Sequence, residues 1–388
     1  MPEEFSKKPY LFGKLEDGKF FTVYNVKLES SRTGTGISKI GLIAEVLLKG
    51  DHISCDEKII EGLTCKNQYL EDWADLRPVS VRKKKSESFE LDVSIKIPQE
   101  IIFFDSENYK ISLGHSISYP IQEVNSAYIN PIPKISIFFK NNVDINKALE
   151  LREALKLLFQ LILNVEAGIE NSFLKTNDDP LSNEIFVFEN KIKWNYSTLN
   201  KRNILLDMNS FLGFSDDLIS NWLEVFYENR DAIIEYYRIS KSRNLVNKRE
   251  VFMNSIQGLE MFYKIFFKDK KDTNNIKNCE KEDKLKAKIK SFLSRIPEIA
   301  NDLIPDEKKF INKIVGTRNH FAHYNLFSIE NDSNIIPKNL LGAYSKRIEL
   351  INDLVLLDHL GIPSNIITER LHGHVHWHIF KDQNYILE

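Results

Sequence analysis

The sequence predicts an α+β protein in which a β-rich N-terminal domain precedes an all-α bundle. Three observations carry that prediction. Apolar residues recur at every second position through roughly the first third of the chain, the period lengthens to 3.6 after about residue 210, and Gly, Pro, Asp and Asn punctuate the early segments. A change of period within one chain separates two domains, set here at 1–205 and 206–388; a length of 388 residues suits two cores better than one.

The period of two is clearest in "FELDVSIKI", where Phe89, Leu91, Val93, Ile95 and Ile97 alternate with polar residues. "FTVYNVKL", "GLIAEVLL", "YKISLGHSISY" and "KISIFF" repeat it, as in an antiparallel sandwich or barrel-like sheet. One helix interrupts the strands, with Asp144 as its N-cap and "INKALELREALKLLFQLILN" as its body, and "IFVFENKIKWNY" resumes strand character. The helical part starts where Ser215 can cap "DDLISNWLEVFYENRDAIIEYYRI", whose two aspartates favour the first turn. It continues with "KREVFMNSIQGLEMFYKIFF", a lysine-rich helix from about Lys281 to Ile296, and a helix opened by Pro305. A last helix runs from about Lys338 to Leu360 and is stopped by Gly361 and Pro363.

Hydrophobic residues at 42% and charged residues at 28% exclude a disordered or membrane-embedded chain. A formal charge of −2 removes any global electrostatic case for nucleic acid, so such a case must rest on local patches. One patch is the run Lys268–Lys290, nine lysines against five acidic residues, in which Lys284, Lys286, Lys288 and Lys290 are candidate RNA contacts. Cys55, Cys65 and Cys279 form no CxxC pair, which argues for a reducing compartment, the cytoplasm. "MPEEFSKKPY" lacks the apolar core of a signal peptide, and no stretch is long enough to span a bilayer.

The stretch "GTRNHFAHYN", residues 316–325, carries the chemistry. Continuing the stripe of Phe310, Ile311, Ile314 and Val315 lands on Arg318, so an arginine interrupts an apolar face. Such an arginine either pairs with a buried carboxylate or grips a phosphate in a planar, multidentate way, and a histidine, here His323, is the side chain whose unperturbed pKa suits proton exchange near neutral pH. RNA cleavage without a metal needs those groups. The 2′-hydroxyl must lose a proton, charge on the phosphorane must be opposed, and the departing 5′-oxygen must gain a proton.

"RNHFAH", Arg318 to His323, resembles the R-x4-H motif of HEPN-domain ribonucleases, with Asn319 as the polar residue that follows the arginine. The C-terminal part of the chain resembles the HEPN domain of ApeA-like anti-phage defence proteins, and the strand-rich part resembles their N-terminal domain. The resemblance implies a metal-independent endoribonuclease toxin of abortive infection without a cofactor. It implies a homodimer through the HEPN domain, with Arg318, Asn319 and His323 as site residues and an N-terminal domain that senses a phage-derived trigger. His320 and Tyr324 lie outside the minimal motif as auxiliary residues; Tyr324 follows the histidine directly, unlike in R-x4-H-x-Y toxins. The alternative is a non-catalytic HEPN module that binds RNA or a partner.

"HGHVHWH" sets His372, His374, His376 and His378 at period two, which suits a terminal strand with one wet face or, less simply, a metal site. "SRTGTG" lacks the ending of a phosphate loop and reads as a loop; "GHSIS" reads as a strand.

Overall fold

The structure is a computed structural model that describes residues 10–34, 37–75, 79–83, 91–118, 130–176, 185–189, 199–240, 247–267, 281–304, 306–323 and 333–373. It divides into two compact units, residues 1–156 with 167–199 and residues 157–166 with 200–388.

The first unit holds the strands β1 (Tyr10–Lys14), β2 (Phe20–Tyr24), β3 (Lys27–Gly34), β4 (Ile37–Ile43), β5 (Val46–Gly50) and β6 (Ile60–Asn67). A short helix α1 (Leu70–Ala74) leads to β7 (Val79–Lys83), β8 (Leu91–Ile95), β9 (Ile101–Asp105), β10 (Tyr109–Ser118) and β11 (Asn130–Val143). After helix α2 (Ile145–Leu163), whose residues from Leu157 onward belong to the second unit, come β12 (Ile169–Thr176) and β13 (Ile185–Glu189). Nine of these strands form one antiparallel sheet in the order β1-β2-β5-β13-β12-β6-β11-β10-β9.

One register row accounts for part of the alternation; the run Phe89 to Ile97 lies elsewhere, with Phe89 outside the described residues and Ile97 exposed past the end of β8. Thr22, Leu48, Val187, Ser172, Cys65, Ile135 and Leu113 stand opposite one another across seven strands, and all are buried. The neighbouring row, with Phe173 and Phe186 at 4.7 Å, belongs to the more open face. The expected helix is α2: Asp144 caps it by accepting from the Lys147 amide at 2.9 Å, and its buried Arg152 donates to Ser172 Oγ at 3.2 Å.

Two differences from the sequence reading stand out. Strands β3 with β4 and β7 with β8 pair as separate two-stranded ribbons, so the described strands form one nine-stranded antiparallel sheet and two ribbons, where the alternation allows either a sandwich or a barrel-like sheet. Alternation reports that one face is buried; it does not say what covers that face. "SRTGTG" contributes the end of β3, Ser31 to Gly34, and is not merely a loop.

The second unit is helical: α3 (Met208–Leu212), α4 (Ser215–Ser240), α5 (Lys248–Phe266), α6 (Lys281–Leu293), α7 (Pro297–Leu303), α8 (Glu307–His323), α9 (Leu341–His359) and α10 (Ser364–His372). Ser215 is not the N-cap predicted for α4. Asp207 caps α3, accepting from the Ser210 amide at 2.8 Å, and the turn after α3 already feeds α4 through Leu218 N to Phe214 O, which places Ser215 inside the helix. Helix α9 lies at the centre, buried from Leu341 through most positions to Leu357, and it packs along α5 and α6. Its polar residues stay inside: the Asn352 amide donates to Tyr236 Oη at 3.3 Å and to the Ser255 carbonyl at 2.9 Å. Burial, with Asp353 and Glu349 nearby, holds the Tyr236 hydroxyl well above the usual tyrosine range. Gly361, with φ +96°, ends α9 in the left-handed turn expected of it.

His372 ends α10 and is therefore helical, where a terminal strand was predicted: the four-residue spacing of buried Ile367 and Leu371 carries the helix to it. His374, His376 and His378 lie outside the described residues. Among the described residues no helix is long and apolar enough to cross a membrane.

Candidate active site

Helix α8 begins where Asp306 accepts from the Lys309 amide at 2.8 Å. Phe310, Ile311, Ile314 and Val315 bury its apolar stripe, and α8 packs against α6. The same face then carries Thr317, fully buried, and Arg318, half-buried. Thr317 Oγ1 accepts from the Ile336 amide at 2.8 Å, while the Asn334 carbonyl oxygen lies 2.5 Å from where a Cβ on Gly316 would stand. Residues 333–336 therefore return tightly over the turn that precedes the motif. A side chain at 316 would push that backbone away.

Arg318 Nη1 donates to Asn319 Oδ1 in a long contact of 3.4 Å, and Arg318 makes no ion pair among the described residues. The buried carboxylate partner considered from sequence is absent from that set. A half-buried guanidinium without a counter-ion is the arrangement an anion-binding arginine needs. Among the described residues His320 Nδ1 is buried without a hydrogen-bond partner, and Phe321 is half-buried. His323 is the last residue of α8; its side chain, and all of Tyr324, lie outside the described residues. The structure thus places Arg318, Asn319 and His320 on the last turns of one helix.

The candidate lysines separate. On α6, Lys284 and Lys288 share one side and Lys286 and Lys290 another, by helical spacing. Lys288 is engaged: it pairs with Glu260 at 2.8 Å and lies 6.0 Å from the Tyr263 ring centre.

Little in the linear sequence marks Arg249. Its Nη2 donates to the Phe321 carbonyl at 2.7 Å, and its guanidinium lies 4.9 Å from the Phe321 ring centre. Residues 72 apart carry no linear signal of that contact. Beside it a cleft of about 1040 Å³ opens between Lys248 and Arg249 of α5, His320 and Phe321 of α8, and residues 335–341. A basic turn at a helix N-terminus was the available hint.

A strand-rich unit followed by a helical bundle with R-x4-H at the end of a helix defines a two-part HEPN-type protein. The comparisons agree: the ApeA N-terminal domain 1 family matches residues 2–222, and the Apea-like HEPN family matches residues 232–366. The chain belongs to the ApeA-like HEPN family of anti-phage defence proteins. No curated protein and no solved structure matches it.

Proposed function

We propose that this chain is an endoribonuclease toxin that cleaves RNA without a metal ion during abortive infection. HEPN domains are commonly ribonucleases. The observation that carries the proposal is Arg318: a half-buried cation on the motif helix, without a counter-ion among the described residues. In this reading Arg318 opposes charge on the phosphorane, Asn319 orients the guanidinium, and His323 moves the proton of the attacking 2′-hydroxyl or the departing 5′-oxygen. His320 and Tyr324 assist.

One motif supplies one such arginine and one such histidine, so two copies face each other in a homodimer through the helical domain, residues 206–388. The β-rich domain, residues 1–205, senses the trigger in the cytoplasm. Lys284, Lys286 and Lys290 supply phosphate contacts along the RNA, while Lys288 is held by Glu260.

The test has two arms: purified full-length chain with total RNA in EDTA, and RNA extracted from phage-challenged cells expressing the chain. Fragments with 2′,3′-cyclic phosphate and 5′-hydroxyl ends are expected, absent from Arg318→Ala. RNA left intact in both arms while still bound would replace the nuclease by a non-catalytic binding module.

A further inference from the structure

Lys248, at the start of α5, and Lys338, in the segment that returns toward α9, both line the cleft beside the motif helix. Both are exposed, and neither forms an ion pair among the described residues. Together with Arg249 they give the wall three cations, and among the described residues no aspartate or glutamate lines it. The acidic side chain nearest in sequence, Glu250, is held by the Asn247 amide at 3.2 Å and is not part of the lining.

The floor has a different character. Ile336 and Leu341 are buried, Phe321 is half-buried, and the His320 ring lies 5.7 Å from that of Phe321. Arg249 is committed to Phe321, which keeps this wall in place when a ligand enters. A cationic rim over an apolar and aromatic floor matches a group that is anionic at one end and flat and apolar at the other. The volume, about 1040 Å³, is at the upper end of the ~300–1,000 Å³ typical of small-ligand clefts.

We infer that this cleft is a subsite for an RNA nucleotide flanking the cleaved one, with Lys248 and Lys338 on its phosphate and its base against His320 and Phe321. The inference rests on the ribonuclease reading for its choice of RNA, since the cleft shares α8 with Arg318. A peptide carboxylate would use the lysines equally well but has no need of the ring-lined floor. The motif helix makes RNA the occupant of choice.

The probe is a labelled single-stranded 2′-O-methyl RNA ten-mer, which lacks the attacking hydroxyl and stays intact whatever the catalytic outcome. Its binding to full-length chain is measured against salt for the parent, for Lys248→Gln with Lys338→Gln, and for the control Lys264→Gln with Lys308→Gln. Lys264 is exposed and about 24 Å along α5 from Lys248, and Lys308 is exposed in the first turn of α8. The cleft pair should bind at least about fivefold more weakly, with a salt slope flatter by about 1.4, two contacts at ~0.7 each. The control pair should bind like the parent, and all should melt alike. Parental affinity in the cleft pair, or equal loss in the control pair, overturns the subsite. A parent that cleaves RNA while the cleft pair binds normally leaves the nuclease standing without this subsite. A parent that never cleaves while the cleft pair loses binding leaves the subsite without the nuclease.

Discussion

Arg249 Nη2 donates to the Phe321 carbonyl at 2.7 Å across two helices, and the guanidinium covers the ring of the same residue at 4.9 Å. The last carbonyls of a helix have no partner within it and carry the negative end of its dipole, so a cation bonded there is doubly favoured. Phe321 lies two residues before His323. The contact therefore fixes the end of the helix that presents the motif. Arg249→Ala should cost about 1.5–3 kcal/mol, the worth of a charge-assisted hydrogen bond, and lower the melting temperature. Arg249→Lys keeps the charge without the fork and should fall between. Urea denaturation measures both; an Arg249→Ala chain as stable as the parent would show that the contact holds nothing.

The return over Gly316 and Thr317 is the second support. Thr317→Val removes the oxygen that accepts the Ile336 amide at 2.8 Å and leaves a buried N–H unsatisfied, at about 1–3 kcal/mol. Thr317→Ser should restore most of it. Gly316→Ala should displace residues 333–336, because the new methyl meets a backbone carbonyl at 2.5 Å. Hydrogen exchange at the Ile336 amide reads the effect directly: faster in Thr317→Val and Gly316→Ala, near parental in Thr317→Ser.

Acid should weaken the helical unit through His359. Burial is the main cause that lowers its pKa, Arg295 adds to it, and Asp358 opposes both; Arg295 and Asp358 themselves pair at 2.9 Å. The native state thus binds the proton less readily than the unfolded chain. Stability from this group is complete above the unfolded value of about 6.5 and is lost as pH falls below it. His359→Phe keeps a ring against Phe266, now 4.1 Å away, and should flatten the fall in melting temperature between pH 7 and 5. Burial lowers the His115 pKa in the same direction, so that residue contributes its own acid sensitivity in the first unit. A variant with the parental pH slope would remove His359 from the account.

What could be read from the sequence follows from what each pattern measures. Alternation was the looser guide: Leu48, Val187, Ile135 and Leu113 fall in segments it marks, Cys65 and Ser172 do not, and Ile97, which ends the clearest run, is exposed beyond β8. The stripe of α8 was legible because 3.6-residue spacing reports burial directly, as Phe310 to Val315 show. The α+β division was legible for the same reason. The separation of β3–β4 and β7–β8 from the main sheet was not, since pairing partners leave no trace in either strand alone. In the site, Arg318 stood out because it broke an apolar stripe. Arg249, Lys248 and Lys338 did not, because a surface cation near a helix start looks ordinary until the chain brings another helix end to it. His372 was misplaced because period-two histidines can also begin at the last turn of a helix.

The lysine run makes a divided prediction. Lys288 is bonded to Glu260 at 2.8 Å, so Lys288→Ala should cost up to about 1 kcal/mol of stability and leave RNA binding near parental. Lys286 and Lys290 lie on the other side of α6. Neutralising both should flatten the salt dependence of RNA binding by about 1.4. Unchanged slopes would reduce the run to a solvated face.

The catalytic prediction turns on separating chemistry from folding. Arg318→Ala and His323→Ala should each abolish RNA cleavage and cellular toxicity. His323 moves a proton, a contribution of ~10²-fold or more, and Arg318 opposes charge on the phosphorane. Had Arg318 been locked to a buried carboxylate, its removal would strand that charge and destabilise the bundle by several kcal/mol. Its contact among the described residues is the neutral Asn319 amide at 3.4 Å, so Arg318→Ala should melt within about 1 kcal/mol of the parent. Asn319→Ala should slow cleavage less than either, because it removes the orienting oxygen and keeps the cation. His320→Ala should also cost less and should act through RNA affinity more than through the rate at saturation. Single-turnover cleavage, run beside thermal melting and sizing of the same preparations, distinguishes the cases. If folded His323→Ala with the parental assembly state cuts RNA at the parental rate, the proton is handled elsewhere and the R-x4-H motif is a binding element.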